Sequence, residues 1–147
     1  MQERTPRPQS QDYGQKLLQM AGLRLTRQRQ GLATLLFDGT HKHMTAEQVF
    51  AAARKQRMPV SLATVYNTLH QFTEAGLLRE VAVDPGRVYF DTNIGAHHHF
   101  FDEDSGMLTD VPADAVRIAR LPQVPKGHKL GRVEVLIRVC ANKKKRA

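Results

Sequence analysis

Three consecutive histidines, His97, His98 and His99, are the densest group of chemically active side chains in the sequence. In an extended stretch His97 and His99 point to one side and His98 to the other. Two imidazoles on one side begin a transition-metal site. Asp91 lies six residues before His97, Asp110 lies eleven after His99, and His43 lies just ahead of Thr45. Together these are three imidazoles and two carboxylates, a mixed nitrogen and oxygen donor set without sulfur. Such a set suits Fe(II), Mn(II) or Zn(II). The plain alternative is a surface histidine cluster that collects adventitious metal. There is no H-E-x-x-H or similar pattern that would pair a catalytic metal with a general base. A His/Asp metalloenzyme is therefore disfavoured, and the chain reads as a non-enzyme.

Cys140 is the single cysteine. Alone it makes neither a disulfide within the chain nor a structural zinc site of four cysteines. It follows an apolar stretch, and an apolar setting disfavours the thiolate, so it reads as inert.

The elements that must position these groups follow from local signals. Met1 to Gln15 is polar and contains prolines, with no apolar signal segment, and reads as an arm on a cytoplasmic protein. No apolar run is long enough to span a bilayer. A first helix is predicted over Gln11 to Ala21, stopped by Gly22. Thr26 is the N-cap of a second helix reaching about Phe37, with Leu32, Leu35 and Leu36 as its apolar stripe. Thr45 and Gln48 form a capping box that opens a third helix, whose Val49, Phe50 and Ala53 face inward and which Met58-Pro59 breaks. Ser61 caps a fourth helix, Leu62 to about Ala75. Its Val65, Leu69 and Phe72 make the buried face, and Thr64, Asn67, Thr68 and Gln71 show on the other side. Leu77 to Val83 and Arg87 to Asp91 are strand-like, joined at Asp84-Pro85-Gly86. Helices followed by a hairpin define a winged helix.

Beyond Asp91 a short hinge, 92–96, leads to a second region. His99 to Glu103 and Met107 to Val111 read as strands. Pro112 suits N1 of a helix carrying Ala115, Val116 and Ile118. Leu130 to Val139 alternates as a strand. The fold class is therefore α+β: a winged-helix domain over 1–91, and a small α/β domain over 97–147, for which the resemblance given below implies dimerisation and metal sensing. A region of about fifty residues is marginal by itself and gains from burial against a twin.

The net charge is +8 and divides evenly: residues 1–91 carry 12 basic and 8 acidic side chains, residues 92–147 carry 10 and 6. Part of the second surplus is the tail Lys143, Lys144, Lys145 and Arg146. A basic chain favours phosphates. A helix fits the DNA major groove, where Thr64, Asn67, Thr68 and Gln71 would face base edges and Tyr66 a sugar or a thymine methyl. Lys16, Arg27, Arg29 and Arg57 sit on neighbouring elements as phosphate contacts. The alternative is an ordinary amphipathic helix with a polar outer face.

Two stretches resemble one family. Ser61-Leu62-Ala63-Thr64-Val65-Tyr66-Asn67-Thr68-Leu69, with Phe72 and Glu74-Ala75-Gly76-Leu77-Leu78, is similar to the recognition helix of ferric uptake regulator (Fur) proteins. The histidine triplet with Asp91 and Asp110 is similar to their metal-sensing hinge. The likeness runs from about Leu17 to Cys140. Within the family, Ala21-Gly22-Leu23-Arg24, Thr26-Arg27-Gln28-Arg29, Pro59-Val60-Ser61 and Tyr89-Phe90-Asp91-Thr92-Asn93 most resemble the iron response regulator branch.

The resemblance implies a homodimeric repressor that binds double-stranded operator DNA of iron and haem genes. It implies a regulatory metal site at His43, Asp91, His97, His99 and Asp110. DNA contacts are implied for Ser61, Thr64, Tyr66, Asn67 and Thr68, alongside Lys16, Arg27 and Arg29. For the iron response branch it also implies haem, with His97, His98 and His99 as the candidate ligands. A peroxide-sensing repressor holding Fe(II) on the same fold is the alternative. The sequence departs from many relatives where Asp102 and Ser105 stand in place of a cysteine pair and only Cys140 remains of another. That leaves the second domain to hold together by packing alone. A second metal site is lost, its places taken by Ala96, His98, Arg117 and Arg132.

Overall fold

The computed structural model describes residues 10–142. The basic tail, Lys143 to Arg146, and most of the expected N-terminal arm lie outside the described residues. The chain divides into two compact units, the first ending at Ile94 and the second beginning at Gly95.

The first unit holds helices α1 (Ser10–Met20), α2 (Arg27–Leu36), α3 (Ala46–Lys55) and α4 (Leu62–Glu74), with strands β1 (His43–Met44), β2 (Arg79–Asp84) and β3 (Arg87–Asp91). The end of the expected arm, from Ser10 on, is therefore helical. The caps act as the sequence indicates. Thr26 Oγ1 accepts the Arg29 N–H, Ser61 Oγ accepts the Thr64 N–H, and Thr45 and Gln48 close a reciprocal capping box. Each cap satisfies backbone donors that a helix start leaves without partners.

The helix ends differ in one instructive case. α4 stops at Gly76, which takes a positive φ of 78°. α3 stops at Arg57, also with positive φ, 56°, and not at the Met58-Pro59 step. Arg57 N–H bonds to Arg54 O and Met58 N–H to Ala53 O, closing the last turn around a residue with a Cβ. That conformation costs an L-residue about 1 kcal/mol.

The core of this unit is one cluster. Leu18, Leu32, Leu36, Val49, Val65, Leu69 and Phe72 are all fully buried, and Phe72 packs a tilted ring against Phe37 at 6.0 Å. α1 approaches α2 closely because Gly14 has no side chain: a Cβ there would lie 3.1 Å from the Ala33 backbone. The sheet has the order β1-β3-β2 and is antiparallel throughout. Strand β1 has only two residues and no periodicity to announce it. Its register sets His43 opposite Asp91.

The second unit is a three-stranded sheet of order β5-β4-β6. Strand β4 (His97–Asp102) lies in the middle, antiparallel to β5 (Leu108–Pro112) and parallel to β6 (Leu136–Val139). The helix expected from Pro112 does not form. Pro112 ends β5 and leads into a single 3-10 turn, Ala113–Ala115, after which Val116 is extended. Val116 and Ile118 are β-branched, which weakens helix formation, and Pro122 and Pro125 prevent any continuation. The last strand is also shorter than its alternation suggests. Val135 N–H bonds to His98 Nδ1, and only Leu136 onward pairs with β4.

Two further expectations are corrected here. Cys140 is exposed, so no apolar burial protects its thiol. The sheet also has a polar fastening beyond packing where the cysteines are missing. Asp104 Oδ2 accepts the Ala141 N–H at 2.6 Å, and the Glu103 N–H bonds to Val139 O at 2.9 Å. These bonds tie the β4–β5 loop to the end of β6.

Candidate metal centre and nucleic-acid interface

The candidate metal ligands fall into two groups, one in each unit. In the first unit Asp91 closes the middle strand and is fully buried. Its Oδ2 lies 3.3 Å from His43 Nε2, brought there by the β1–β3 pairing. Its Oδ1 accepts the Asn93 N–H at 2.8 Å, which fixes the carboxylate as the chain leaves the strand. A carboxylate removed from water needs such partners, because an unpaired buried charge is strongly unfavourable.

In the second unit the register pairs His99 with Asp110 and places His97 two residues back on the same face. His97 Nε2 and His99 Nε2 are 2.9 Å apart, and Asp110 Oδ1 lies 3.3 Å from the first and 3.5 Å from the second. The two histidines are 5% and 2% exposed, while Asp110 is 29% exposed at the edge of the group. His97 Nδ1 donates to Gly95 O at 2.6 Å. That bond puts the ring proton on Nδ1 and turns the Nε2 lone pair toward His99. Donors sharing an ion at roughly 2.1 Å are spaced about 3.0–3.4 Å from each other, depending on geometry. The observed separations match the edges of such a polyhedron. The chemistry of the set fits a divalent transition metal.

His98 faces the other way. It is buried, and its Nδ1 accepts the Val135 N–H, so the proton sits on Nε2.

The polar side of α4 differs from its sequence reading in one respect. Asn67 and Tyr66 are exposed and Thr64 is half-buried, but Thr68 is only 4% exposed, at the floor of a hollow it lines with Thr64, Asn67 and Gln71. Ser61 serves the N-cap and also hydrogen-bonds Thr64 Oγ1. Lys16 and Arg27 are exposed. Arg29 is half-buried, and its guanidinium meets Gln71 and the Arg24 carbonyl.

One partner was not foreseen. Tyr66 OH donates to Glu47 Oε1 at 2.6 Å, from α4 to the first turn of α3. This bond holds the Glu47 carboxyl below the usual range and pushes the Tyr66 phenol up. The only sequence sign of Glu47 was an acid in a first helical turn, which the helix dipole already explains.

A winged-helix unit followed by a small sheet bearing a buried His/Asp cluster is the architecture of a class of regulators that couple a DNA reader to a ligand-sensing unit. The model of the ferric uptake regulator family matches residues 20–137, and the chain belongs to that family. Its members are transcription regulators and not enzymes. The peroxide-responsive repressor PerR of Staphylococcus aureus (strain Mu50) is 33% identical over 93 residues, which is 63% of this chain and 62% of that protein. The chain thus aligns with somewhat under two thirds of the length of its curated relatives. The ferric uptake regulator of Pseudomonas aeruginosa, solved with manganese, is 29% identical with a TM-score of 0.65, covering 88% of this chain and 98% of the other. The ferric uptake regulator of Vibrio cholerae shares the fold at 20% identity and a TM-score of 0.67, covering 86% and 98%. No helix among the described residues is long and apolar enough to cross a membrane.

Proposed function

We propose that this chain is a homodimeric, metal-responsive repressor of iron-homeostasis genes, reading operator DNA with α4. In this reading His43, Asp91, His97, His99 and Asp110 together hold one Fe(II), Mn(II) or Zn(II) ion. The observation that carries it is the convergence of the Nε2 atoms of the buried His97 and His99 with Asp110 Oδ1. Chain connectivity supports a shared ion: Asp91 ends one strand and His97 begins the next, six residues on. Six residues reach at most about 20 Å and easily much less.

A bound ion supplies Lewis-acid bonding to nitrogen and oxygen donors. The residues supply everything else. His97 offers a lone pair fixed by Gly95, Asp91 and Asp110 would offset the ion's charge, and a shared ion would require the 92–96 segment to let the two ligand groups meet. Ligands on both sides of that segment favour one set of domain arrangements over others, and so shift the population of dimers whose recognition helices are spaced for DNA. Successive major grooves require that spacing to be about 34–36 Å. Exposed Ile118, Leu121 and Leu130 give the second unit apolar surface for a twin to cover.

The test is Mn(II) titration of metal-free protein followed by binding to an inverted-repeat duplex. One site per chain is expected, with DNA affinity that depends on it. His99→Ala should lose about 100-fold in Mn(II) affinity. Equal DNA affinity with and without metal would remove the sensing role.

A second reading is peroxide sensing, favoured by the PerR relatives. It requires peroxide treatment of the Fe(II)-loaded chain to add oxygen to His43 or His97, which mass spectrometry reads directly. A haem-responsive version resembling the iron response branch would use His97, His98 or His99. His98 is the weakest of these, since ligating through Nε2 would break its bond to Val135. A haemin titration followed by its absorption spectrum, on wild type and His97→Ala, separates the two.

A further inference from the structure

Gln71 and Arg29 lie 42 residues apart in sequence and meet on the reading side of the first unit. They line a hollow of about 330 Å³ with Arg24, Thr26, Thr64 and Asn67. Arg29 Nε and Nη2 both donate to Gln71 Oε1, at 3.2 and 2.9 Å. Arg29 Nη1 donates to Arg24 O at 2.9 Å, so the guanidinium is held from its other edge as well. The base of the side chain is fixed too, because the Arg29 N–H is bound by the Thr26 cap.

A guanidinium has five donors and no acceptor. Only the oxygen of the Gln71 amide can therefore face it, and two N–H groups occupy both of that oxygen's lone pairs. The amide nitrogen must turn away from Arg29. A glutamine free to choose reads adenine with both ends of its amide, accepting from N6–H and donating to N7. Gln71 has lost the accepting half. What it presents is a donor alone.

We propose that Gln71 is a specificity-determining residue of the DNA-reading helix and that Arg29 is the positioning residue that makes it donor-only. It then favours a base edge rich in acceptors, guanine N7 and O6 or thymine O4, and disfavours cytosine, whose major-groove edge offers an N4 donor. This inference rests on the reading of α4 as the recognition helix.

The experiment selects bound duplexes from a randomised pool with the full Mn(II)-loaded chain, then measures affinity for single-base variants of the winning sequence. Wild type should show at least one position where guanine or thymine is preferred roughly tenfold over cytosine and where adenine, which offers one acceptor at N7 beside its N6 donor, ranks below guanine. Gln71→Glu keeps the partner for Arg29 but removes the donors, and should lose that preference while leaving other positions unchanged. Arg29→Met frees the amide oxygen and should admit adenine at the same position, a change of base choice that a merely structural role would not produce. The inference is overturned if Gln71→Glu selects the same bases as wild type with affinity within about twofold. It is also overturned if Arg29→Met leaves base choice intact while weakening all duplexes alike. A wild-type chain that enriches no sequence would defeat the recognition-helix reading itself and this inference with it.

Discussion

In the first unit nine aliphatic and aromatic side chains from all four helices have zero exposure and form one cluster, whereas in the second unit only Phe101 among the described apolar residues does. There His97, His98 and His99 make up half of the buried residues described, beside Phe101, Leu108 and Val111, while Phe100, Met107, Leu121 and Leu130 remain 40–64% exposed. The contrast concerns what each unit's stability depends on. An aliphatic core stabilises whatever the solution contains. Buried imidazoles cost desolvation unless something partners them, and exposed apolar groups gain only when a second surface arrives. The first unit thus rests on apolar burial, and the second on polar partners and on whatever covers its exposed apolar groups.

The comparison breaks first at Phe72. Truncation to alanine at this fully buried site should cost about 3–5 kcal/mol, read as a lower urea midpoint with unchanged slope. A cost below about 1 kcal/mol would mean the helical core is looser than its burial indicates.

Metal should sharpen it next. At Mn(II) about 100-fold above Kd the chain should gain roughly 2.7 kcal/mol, and His99→Ala should gain almost nothing. A thermal melt with and without Mn(II) measures this. Equal shifts in both proteins would place the stabilising ion elsewhere.

The exposed apolar groups come third. Leu121→Glu combined with Leu130→Glu should convert dimer to monomer in light scattering while changing the stability of the helical unit by less than about 0.5 kcal/mol. A double variant that stays dimeric assigns the interface to other residues.

The smallest effect is local to the first unit. Arg57→Gly relieves the positive φ at the end of α3 and should stabilise by about 0.5–1 kcal/mol, seen as a raised urea midpoint. No gain would show that the arginine makes compensating contacts.

Local physics made much of this protein legible in its sequence. Thr26, Thr45 with Gln48, and Ser61 announced the starts of three helices because capping is a matter between residues three apart. The period of Val65, Leu69 and Phe72 gave the buried face of α4 for the same reason. The donor types of the candidate metal ligands were legible too, and alternation put His97 and His99 on one side once the stretch is extended, though the strand begins at His97 and not at the expected His99.

Pairing between distant segments is another matter. Nothing in His43-Met44 announces a strand, yet hydrogen bonding to β3 brings His43 to Asp91. The register that sets Asp110 opposite His99 comes from the whole β4–β5 ladder, and a slip of one residue would turn the carboxylate to the other face. Thr68 belonged to the outer face by its polarity and is buried by its neighbours. The segment after Pro112 had enough apolar residues for a helix, but Val116 runs extended and Pro122 and Pro125 follow it. Sequence alone determined which groups are available and which short segments curl. The tertiary structure decided which groups meet, because a contact across many residues depends on every element that must fold between them.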